Sequence, residues 1–526
     1  MFMKILLLIL FFGVMVSVGL YCRRNATDVS GFVLGGRNVG PWLTAFAYGT
    51  SYFSAVIFVG YAGQFGWKYG IASTWVGLGN AFIGSLLAWS VLGRRTRIMT
   101  QHLNSSTMPE FFGARFDSTA LKVGASVITF LFLIPYTASL YNGLSRLFEM
   151  AFGMNYTVCI VVMAVLTGIY VIAGGYMATA INDFIQGIIM LIGIVAVIAA
   201  VLASKGGFIA ALDGLAAVTD ESVSTTPGAF NSFFGPDPLG LLGVVLLTSL
   251  GTWGLPQMVQ KFYAIKSEDA VKKGTIISTF FAIIVAGGCY FLGGFGRLFS
   301  DRIEIAASGI PVGGYDAVIP SMLSGLPDIL IAIVVILVLS ASMSTLSSLV
   351  LASSSTITID FLKDNFVKDM DEKKQVLLMR VFVVVFIVIS AAIAIFQYQS
   401  SLSATSSNSA TFIAQLMGVS WGALAGAFLA PFLYGLYWKK TTKAACWVSF
   451  IFGSVLMVLN MLIRSSFPAL LQSPINCGAF AMIAGLIIVP VVSLFTPKPE
   501  ARLVEDAFAC YDVKVEVSQK RSLTDL

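Results

Sequence analysis

The sequence predicts an all-α integral membrane protein, and three observations predict this fold class. The 526 residues are 57% hydrophobic and 11% charged, with a mean hydropathy of +0.88, whereas soluble chains carry about 25% charged residues. About thirteen mostly apolar stretches are long enough to cross a bilayer, which takes about 20 helical residues each. The chain also contains 50 glycines and 41 phenylalanines, as closely packed membrane helices do.

The predicted transmembrane helices leave no segment long enough for a separate soluble domain. The longest polar pieces are 204–237, 297–325, 357–378 and the tail from Pro497. We therefore expect one transmembrane domain over residues 1–526. The approximate helix centres, in chain order, are Leu10, Ala55, Ile83, Phe130, Val165, Ile192, Val245, Ile283, Val335, Val385, Leu424, Phe452 and Leu486.

The first apolar stretch, from Lys4 to Tyr21, is either a cleaved signal peptide or a retained helix. Its apolar run is long, no A-x-A cleavage pattern follows it, and Arg23 and Arg24 close it. These features favour a retained helix at about residues 3–22.

The distribution of basic residues predicts the orientation. If the N-terminus is outside and the helices alternate, 25 of the 32 Lys and Arg residues, including Lys261, fall in inner connections or in the tail. This bias is the one that the positive-inside rule predicts. The pattern therefore indicates a multi-pass protein of the plasma (cytoplasmic) membrane, with its C-terminus inside.

The composition argues against an enzyme. Six cysteines lie far apart, without a CxxC pair or a zinc-type spacing. The single histidine, His102, lies in a polar connection beside Arg97, where a solvated side chain is expected. No nucleophile elbow or pair of buried carboxylates is evident, so no catalytic residue is assigned. The net charge of +6 follows from the membrane orientation and does not predict binding to nucleic acid.

Two predicted helices contain residues that interrupt a helix. One has Tyr48-Gly49-Thr50-Ser51-Tyr52-Phe53-Ser54 at its middle, and the other has Gly251-Thr252-Trp253-Gly254-Leu255-Pro256. Glycine weakens a helix and proline removes an amide donor. Interruptions at corresponding places in two halves of a chain are typical of an inverted-repeat transporter with a site at mid-membrane. The alternative is ordinary glycine packing with a proline kink.

The helix around Val335 has a hydroxyl-rich face. Ser344, Thr345, Ser347 and Ser348 occupy positions that share one side of a helix. Together with carbonyls freed by a broken neighbouring helix, these hydroxyls could supply the hard oxygen ligands that an alkali cation prefers. The alternative is that each hydroxyl bonds to a carbonyl of its own helix.

A single carboxylate, Asp183, lies next to a long apolar stretch. Carboxylates inside membrane spans are costly and are usually functional. The alternative is that Asp183 lies near the inner surface, where it stays hydrated or caps the helix.

Several motifs resemble those of the sodium/solute symporter family, which includes the sodium/proline and sodium/pantothenate carriers. They are Phe32-Val33-Leu34-Gly35-Gly36-Arg37, Ala341-Ser342-Met343-Ser344-Thr345-Leu346-Ser347, and Gly254-Leu255-Pro256-Gln257 with Lys261-Phe262. The resemblance extends from Phe32 to about Tyr437 and implies a LeuT-type fold, a 5+5 inverted repeat with one extra N-terminal and two extra C-terminal helices. The implied ranges are 3–22 for the extra first helix, 40–203 and 238–437 for the repeats, 442–496 for the last helices and 497–526 for a cytoplasmic tail.

The resemblance also implies ion ligands, with Na+ as the coupling ion and no other metal. The implied sodium site consists of the carbonyls of Thr50, Phe53 and Ala341 and the hydroxyls of Ser344 and Thr345. Some similar carriers hold a second sodium with an aspartate, and here Asp183, Ser344, Ser347 and Ser348 match that pattern. One or two sodium ions therefore remain open.

The family's solute contacts correspond to Tyr52, Ser54, Val56, Asn80, Tyr136, Thr248, Thr252, Trp253 and Gln415. Proline-type carriers have an aspartate where this chain has Tyr52, and aromatic residues where it has Thr248 and Thr252; these departures point away from proline. The set carries no fixed charge, which fits a neutral or zwitterionic solute, or a monovalent anion accompanied by two sodium ions.

The resemblance thus implies a sodium-coupled secondary symporter that imports a small organic solute by alternating access. The solute would be an amino acid, a monocarboxylate or a vitamin-like compound, with a sugar as a further alternative. A membrane sensor that binds solute without moving it is another alternative, although the tail from Pro497 has no kinase-like motif. The expected partners are the solute, sodium ions and the lipid bilayer, with a monomer sufficient for function.

Overall fold

The all-α prediction is confirmed by the architecture. A computed structural model describes residues 2–305, 311, 314–363, 366–367, 370–403 and 412–512. Over these ranges the chain is almost entirely helical, with three isolated β-bridges and no strand. The end of the predicted tail, residues 513–526, lies outside the described residues.

Every predicted helix centre lies in helical structure. In the described part of the chain, ten helical stretches are long and apolar enough to cross a membrane, and one bent pair brings the number to as many as eleven. Two predicted centres, Val165 and Ile192, share one long helix, and the exact number of spans stays a prediction. The main α-helices are Phe2–Cys22, Pro41–Tyr52, Ala62–Tyr69, Thr74–Gly79, Arg94–His102, Thr119–Phe152, Tyr156–Ser204, Pro238–Gly254, Pro256–Ala264, Glu268–Ala282, Asp328–Thr356, Glu372–Ser403, Phe412–Tyr437, Lys443–Leu462, Pro474–Phe495 and Ala501–Ala509. Turns of π-helix lie at Val56–Tyr61, Asn80–Leu87, Trp89–Gly93, Ile283–Gly287 and Ile357–Lys363.

The long helix Tyr156–Ser204, here called the kinked helix, changes direction at Gly175. This residue has φ +54° and ψ −147°, a conformation that only glycine adopts readily. A Cβ atom at this position would also lie 2.8 Å from the carbonyl oxygen of Phe32. The kink therefore depends on glycine twice, for its backbone conformation and for its close packing.

The helix Asp328–Thr356, here called the serine helix, lies in the protein interior. Every residue from Leu337 to Thr356 is buried, including all of its hydroxyl-bearing side chains. It packs against the kinked helix, against Thr119–Phe152 and against Pro41–Tyr52. Because neither lipid nor bulk water reaches residues Leu337 to Thr356, the hydroxyls in this part of the helix must find partners within the protein.

The N-terminal helix Phe2–Cys22 packs along the kinked helix. The Asn182 side chain donates a hydrogen bond to the carbonyl of Met15. The outward face of this helix remains apolar, with Ile9 and Leu10 exposed. Such a face suits contact with lipid, as the predicted membrane location requires.

Basic side chains form two separate groups at the two ends of the helical run from Thr74 to His102. At the His102 end, Arg37 donates to the carbonyl of Ser105 and Arg97 to that of Ile265. At the Thr74 end, Trp75 contacts Phe233. Basic residues close to this contact form ion pairs and cation–π contacts. The first group contains Arg37, Arg95, Arg97 and Arg115, and the second contains Lys68, Lys205, Arg297 and Arg302. These are the groups that the sequence assigned to the inner and the outer side.

The predicted location of one basic residue is wrong. The sequence predicts Lys261 in an inner connection, but its side chain is only 3% exposed and lies inside the helix bundle. Counting charges near helix ends assumes that they reach water, and only the packing shows that this one does not.

Candidate ion and solute site at the broken helices

The first broken helix consists of Pro41–Tyr52, a break, and the helical turns from Val56 to Tyr69. Phe53 has an extended backbone, with φ −83° and ψ 122°, and Ser54 is also non-helical. The break therefore falls inside the segment in which the sequence predicted it. Residues that leave the helical path expose carbonyl oxygens which a continuous helix would pair, and in a membrane such oxygens need a cavity or a partner.

The second broken helix consists of Pro238–Gly254 and Pro256–Ala264, which meet at an angle of 47°. Leu255 between them is extended, and Pro256 begins the second half, where a missing amide hydrogen costs nothing. Gly254 allows close approach to a neighbouring helix, because a Cβ there would lie 2.8 Å from the Cα atom of Ala425. Both interruptions that the sequence predicted are thus present.

The serine helix presents two hydroxyls to the first break. The Ser344 hydroxyl lies 3.0 Å from the carbonyl oxygen of Thr50 and 3.0 Å from that of Ala341. The Thr345 hydroxyl lies 3.2 Å from the Thr50 carbonyl, 3.3 Å from the Phe53 carbonyl and 3.0 Å from the Ala341 carbonyl. All five oxygens of the predicted sodium site therefore converge, and both hydroxyls are fully buried.

The five oxygens of the predicted sodium site have too few hydrogen atoms to make a hydrogen bond along every contact between them. The five short oxygen–oxygen contacts share only the hydrogens of Ser344 and Thr345, because each hydroxyl carries one. No more than two of the five contacts can therefore have a hydrogen pointing straight along them, and the others bring oxygen lone pairs close together. A bound cation would stabilise this arrangement. The set consists of hard, uncharged oxygens, and no group of three His, Cys, Asp or Glu side chains in the described ranges offers a site for a transition metal.

Two other hydroxyls of the serine helix bond to carbonyls of their own helix, which is the alternative that the sequence left open. Ser342 donates to the carbonyl of Val338 at 2.8 Å, and Ser347 donates to that of Ser344 at 2.9 Å. These are bonds within the helix itself. The hydroxyl-rich face is therefore divided: Ser344 and Thr345 reach across to the broken helix as well as contacting Ala341, whereas Ser347, like Ser342 beside the face, bonds within its own helix.

Asp183 is completely buried on the kinked helix, and neither of its carboxylate oxygens has a hydrogen-bond partner. The ammonium group of Lys261, from the second broken helix, lies 3.8 Å from it. The same ammonium donates to the Ser348 hydroxyl at 3.0 Å, and that hydroxyl lies 2.7 Å from the hydroxyl of Ser51. Asp183 is thus shielded from bulk water and lies within the helix, not at its end. It pairs with Lys261, which the sequence predicts in an inner connection.

Aromatic rings gather beside the first break. The rings of Tyr52 and Tyr136 lie 5.7 Å and 5.8 Å from the ring of Trp421. The Tyr52 hydroxyl lies beside Thr248 and the Tyr136 hydroxyl beside Ser54. The hydroxyls of Tyr52, Tyr136 and Ser54 and the Trp421 indole nitrogen are all buried without a hydrogen bond of good geometry. Such groups can bind the polar ends of a ligand whose apolar part packs on the rings.

Three predicted solute contacts, Tyr52, Asn80 and Thr252, line one small cavity next to this cluster. Val56 is buried at the start of the π-helical turn after the break. Trp253 faces another helix, where its indole nitrogen donates to the Ile83 carbonyl at 3.0 Å. Most of the predicted set therefore surrounds the first break.

Gln415 lies apart from the others. Its side-chain oxygen accepts a hydrogen bond from Arg464 at 3.1 Å. It precedes Trp421 by six residues on the same helix, a rise of about 9 Å. The structure does not bring Gln415 together with the aromatic cluster.

The sequence contains no signal strong enough to single out Trp421, and it places Lys261 in a family motif and an inner connection without assigning it a role at the site. Trp421 is the only tryptophan in the helix Phe412–Tyr437, which is a weak hint of a special position. Lys261 is followed by Lys266 and lies near a helix end, so its charge resembled that of a loop residue. Its burial depends on contacts with segments far away in the chain.

A helical membrane bundle with two broken helices, whose exposed carbonyls face buried hydroxyls, defines the class of cation-coupled secondary transporters. The model of the sodium:solute symporter family matches residues 32–453 of this chain. The chain therefore belongs to the sodium:solute symporter family.

Curated relatives cover nearly the whole chain. The osmoregulated proline transporter of Bacillus subtilis is 27% identical over 493 residues, which are 93% of this chain and 94% of that protein. The sodium/proline symporter of Staphylococcus aureus is 27% identical over 523 residues, which are 97% of this chain and 96% of that protein. The solved structure of a Na+-coupled sialic acid symporter, in a substrate-bound outward-open state, has a TM-score of 0.73 at 16% identity and covers 94% of this chain and 98% of its own.

These findings confirm the predicted class and fold. The likeness to the solved structure is one of fold and supports the LeuT-type architecture. Membership of the family makes this chain a sodium-coupled symporter of a small solute, and not an enzyme, with sodium as the coupling ion.

Proposed function

We propose that this symporter binds its coupling sodium ion between the first broken helix and the serine helix. The ligands are the carbonyls of Thr50, Phe53 and Ala341 and the hydroxyls of Ser344 and Thr345. The observation that carries the proposal is the shortage of hydrogens among five converging, buried oxygens. A monovalent cation fits better than a divalent one, because calcium sites normally contain several carboxylates.

The proposed solute site adjoins the ion through the chain itself. Phe53 supplies a carbonyl to the ion, while its neighbours Tyr52 and Ser54 belong to the solute cluster. Sodium binding fixes the Phe53 carbonyl and so orders both neighbours in the conformation that binds solute. Each ligand then raises the affinity for the other by the same factor.

The chemistry of the cluster favours a small neutral or zwitterionic solute. Tyr52, Tyr136 and Trp421 offer ring faces, and unpaired hydroxyl and indole groups offer hydrogen bonds. We propose proline as the first solute to test, because two relatives are named as proline transporters. Other small amino acids follow, since Tyr52, Thr248 and Thr252 depart from the proline-type pattern.

We propose transport by alternating access. On the face that contains Arg37, this arginine donates to the carbonyls of Ser105 and Tyr263, and Arg97 donates to those of Ile265 and Lys266. These bonds tie the segment before the first broken helix and the end of the second to the run from Thr74 to His102 and the turn after it, and close this face. Release of solute on this side requires them to break while the bundle rocks around the site. One charge entering across 100 mV supplies about 2.3 kcal/mol, or about 50-fold accumulation of a neutral solute.

We also propose the topology that the sequence predicted. The repeats 40–203 and 238–437 each begin with a broken helix, the N-terminus is outside, and the face of Arg37 is cytoplasmic in the plasma membrane. The two separate basic groups support this orientation. An impermeant thiol reagent added to intact cells should label Lys205→Cys and leave Lys440→Cys unlabelled; the opposite pattern would reverse the orientation.

The function is tested with purified protein in liposomes. An inward sodium gradient should drive uptake of radiolabelled L-proline, and an equal potassium gradient should not. Equal uptake in both gradients would rule out sodium coupling. If proline is not taken up, a thermal-shift screen over amino acids, monocarboxylates, vitamins and sugars, with and without sodium, identifies the solute, which is then used for the same transport test.

A further inference from the structure

We propose that the ammonium group of Lys261 is a built-in cation that takes the place of a second sodium ion beside Asp183. The protein then binds one sodium ion and couples one to each solute. This inference rests on the proposed sodium site between the first broken helix and the serine helix. It concerns the position at which the sequence left a second sodium open, with Asp183, Ser344, Ser347 and Ser348 as ligands.

The geometry places the ammonium against two of those predicted ligands, Asp183 and Ser348. It lies 3.8 Å from the Asp183 carboxylate and donates to the Ser348 hydroxyl at 3.0 Å. Its third neighbour is the face of the Tyr176 ring, whose centroid is 5.1 Å away, a favourable distance for a cation. The ammonium thus donates one hydrogen bond, to Ser348, and has the carboxylate and the ring as its two further neighbours. The Asp183 side chain is fully buried and that of Lys261 nearly so, so water competes with neither.

Charge balance leaves no place for a second ion. Asp183 provides one negative charge, and Lys261 already provides one positive charge next to it. A sodium ion in the same position would stand about 4 Å from the ammonium. Like charges at that distance in a protein weaken binding on the order of a thousandfold.

A purely stabilising role accounts less well for this pair. Taking two charges out of water costs about as much as their attraction returns, and apolar replacements are often as stable. The contacts of Lys261 instead connect the elements that must move. The lysine is on the second broken helix, Asp183 is on the kinked helix, and Ser348 of the serine helix touches Ser51 of the first broken helix.

The covalent attachment of the ammonium group to the protein affects energy coupling. A lysine stays with the protein, so its charge is not released on the other side. The charge that enters with each neutral solute is then one, whereas a protein with two bound sodium ions would carry two. Lys261 would thereby determine how strongly accumulation of the solute depends on the membrane potential.

The test measures binding of ²²Na+ to purified protein and needs no solute. Wild type should bind one sodium per chain with a Hill coefficient near one. Lys261→Met removes the ammonium with little change of shape and should bind two. The double variant Lys261→Met/Asp183→Asn removes both charges and should return to one. Lys266→Met, at an exposed lysine five residues away, is the matched control and should behave as wild type.

Several outcomes decide between the hypotheses. Binding of two sodium ions to wild type, or of one to a folded Lys261→Met, overturns the inference. Binding of none to wild type contradicts the proposed sodium site itself. Adding Thr345→Ala to Lys261→Met should remove one of the two ions. If Lys261→Met does not yield a monodisperse protein, the wild-type stoichiometry and the ratio of charge to solute in wild-type liposomes still decide the question.

Discussion

Thr345→Ala should weaken sodium binding more than any other conservative change on the serine helix. The hydroxyl of Thr345 lies within 3.3 Å of three carbonyl oxygens, those of Thr50, Phe53 and Ala341. Removing it deletes one of the five proposed ligands. A hydrogen-bonding contact to a charged group contributes about 1.5–3 kcal/mol, which corresponds to about a 10- to 150-fold loss of sodium affinity.

The assay is ²²Na+ binding to purified protein, together with the sodium dependence of solute uptake in liposomes. Thr345→Ser keeps the hydroxyl and should remain near wild type. Ser342→Ala is the matched control, because Ser342 is on the same helix, is equally buried, and bonds only to the carbonyl of Val338. Its sodium affinity should change less than threefold. The placement of the ion is wrong if Thr345→Ala binds sodium as wild type does, or if Ser342→Ala is equally damaging.

Three further predictions concern other parts of the molecule. Asp183→Asn leaves the Lys261 ammonium buried without its counter-charge and should cost about 3–5 kcal/mol, measured as a lower thermal-shift midpoint that the additional change Lys261→Met restores; an unchanged midpoint contradicts the ion pair. Gly175→Ala forces a Cβ into a left-handed position without room and should lower the midpoint, whereas Gly13→Ala, in open space, should not; equal midpoints contradict the kink. Trp421→Ala should weaken solute binding more than tenfold, as loss of aromatic contacts and apolar burial does, with sodium binding in the absence of solute unchanged; a selective loss of sodium affinity would move Trp421 to the ion site.

Much of the site was predictable because its signals are local. The break at Phe53 follows from residues within a single helix, and the shared face of Ser344 and Thr345 follows from helical periodicity alone. Their partnership with Thr50 was implied by the family resemblance, and the structure brings these oxygens together. The division of the face was not predictable, because whether a serine bonds within its helix or across it depends on what lies opposite.

By itself, the sequence determined that the chain is an all-α membrane protein, where its helices lie and which two are broken. These features depend on hydropathy, on the placement of glycine and proline, and on helical periodicity. Each of these signals involves residues within one or two helical turns, so it can be recognised from neighbouring residues in the sequence. Only the tertiary structure decided that Lys261 pairs with Asp183 and that the Trp421 ring lies beside that of Tyr52. These contacts join segments far apart in the chain, and the burial that gives a charge its partner exists only once the helices have packed.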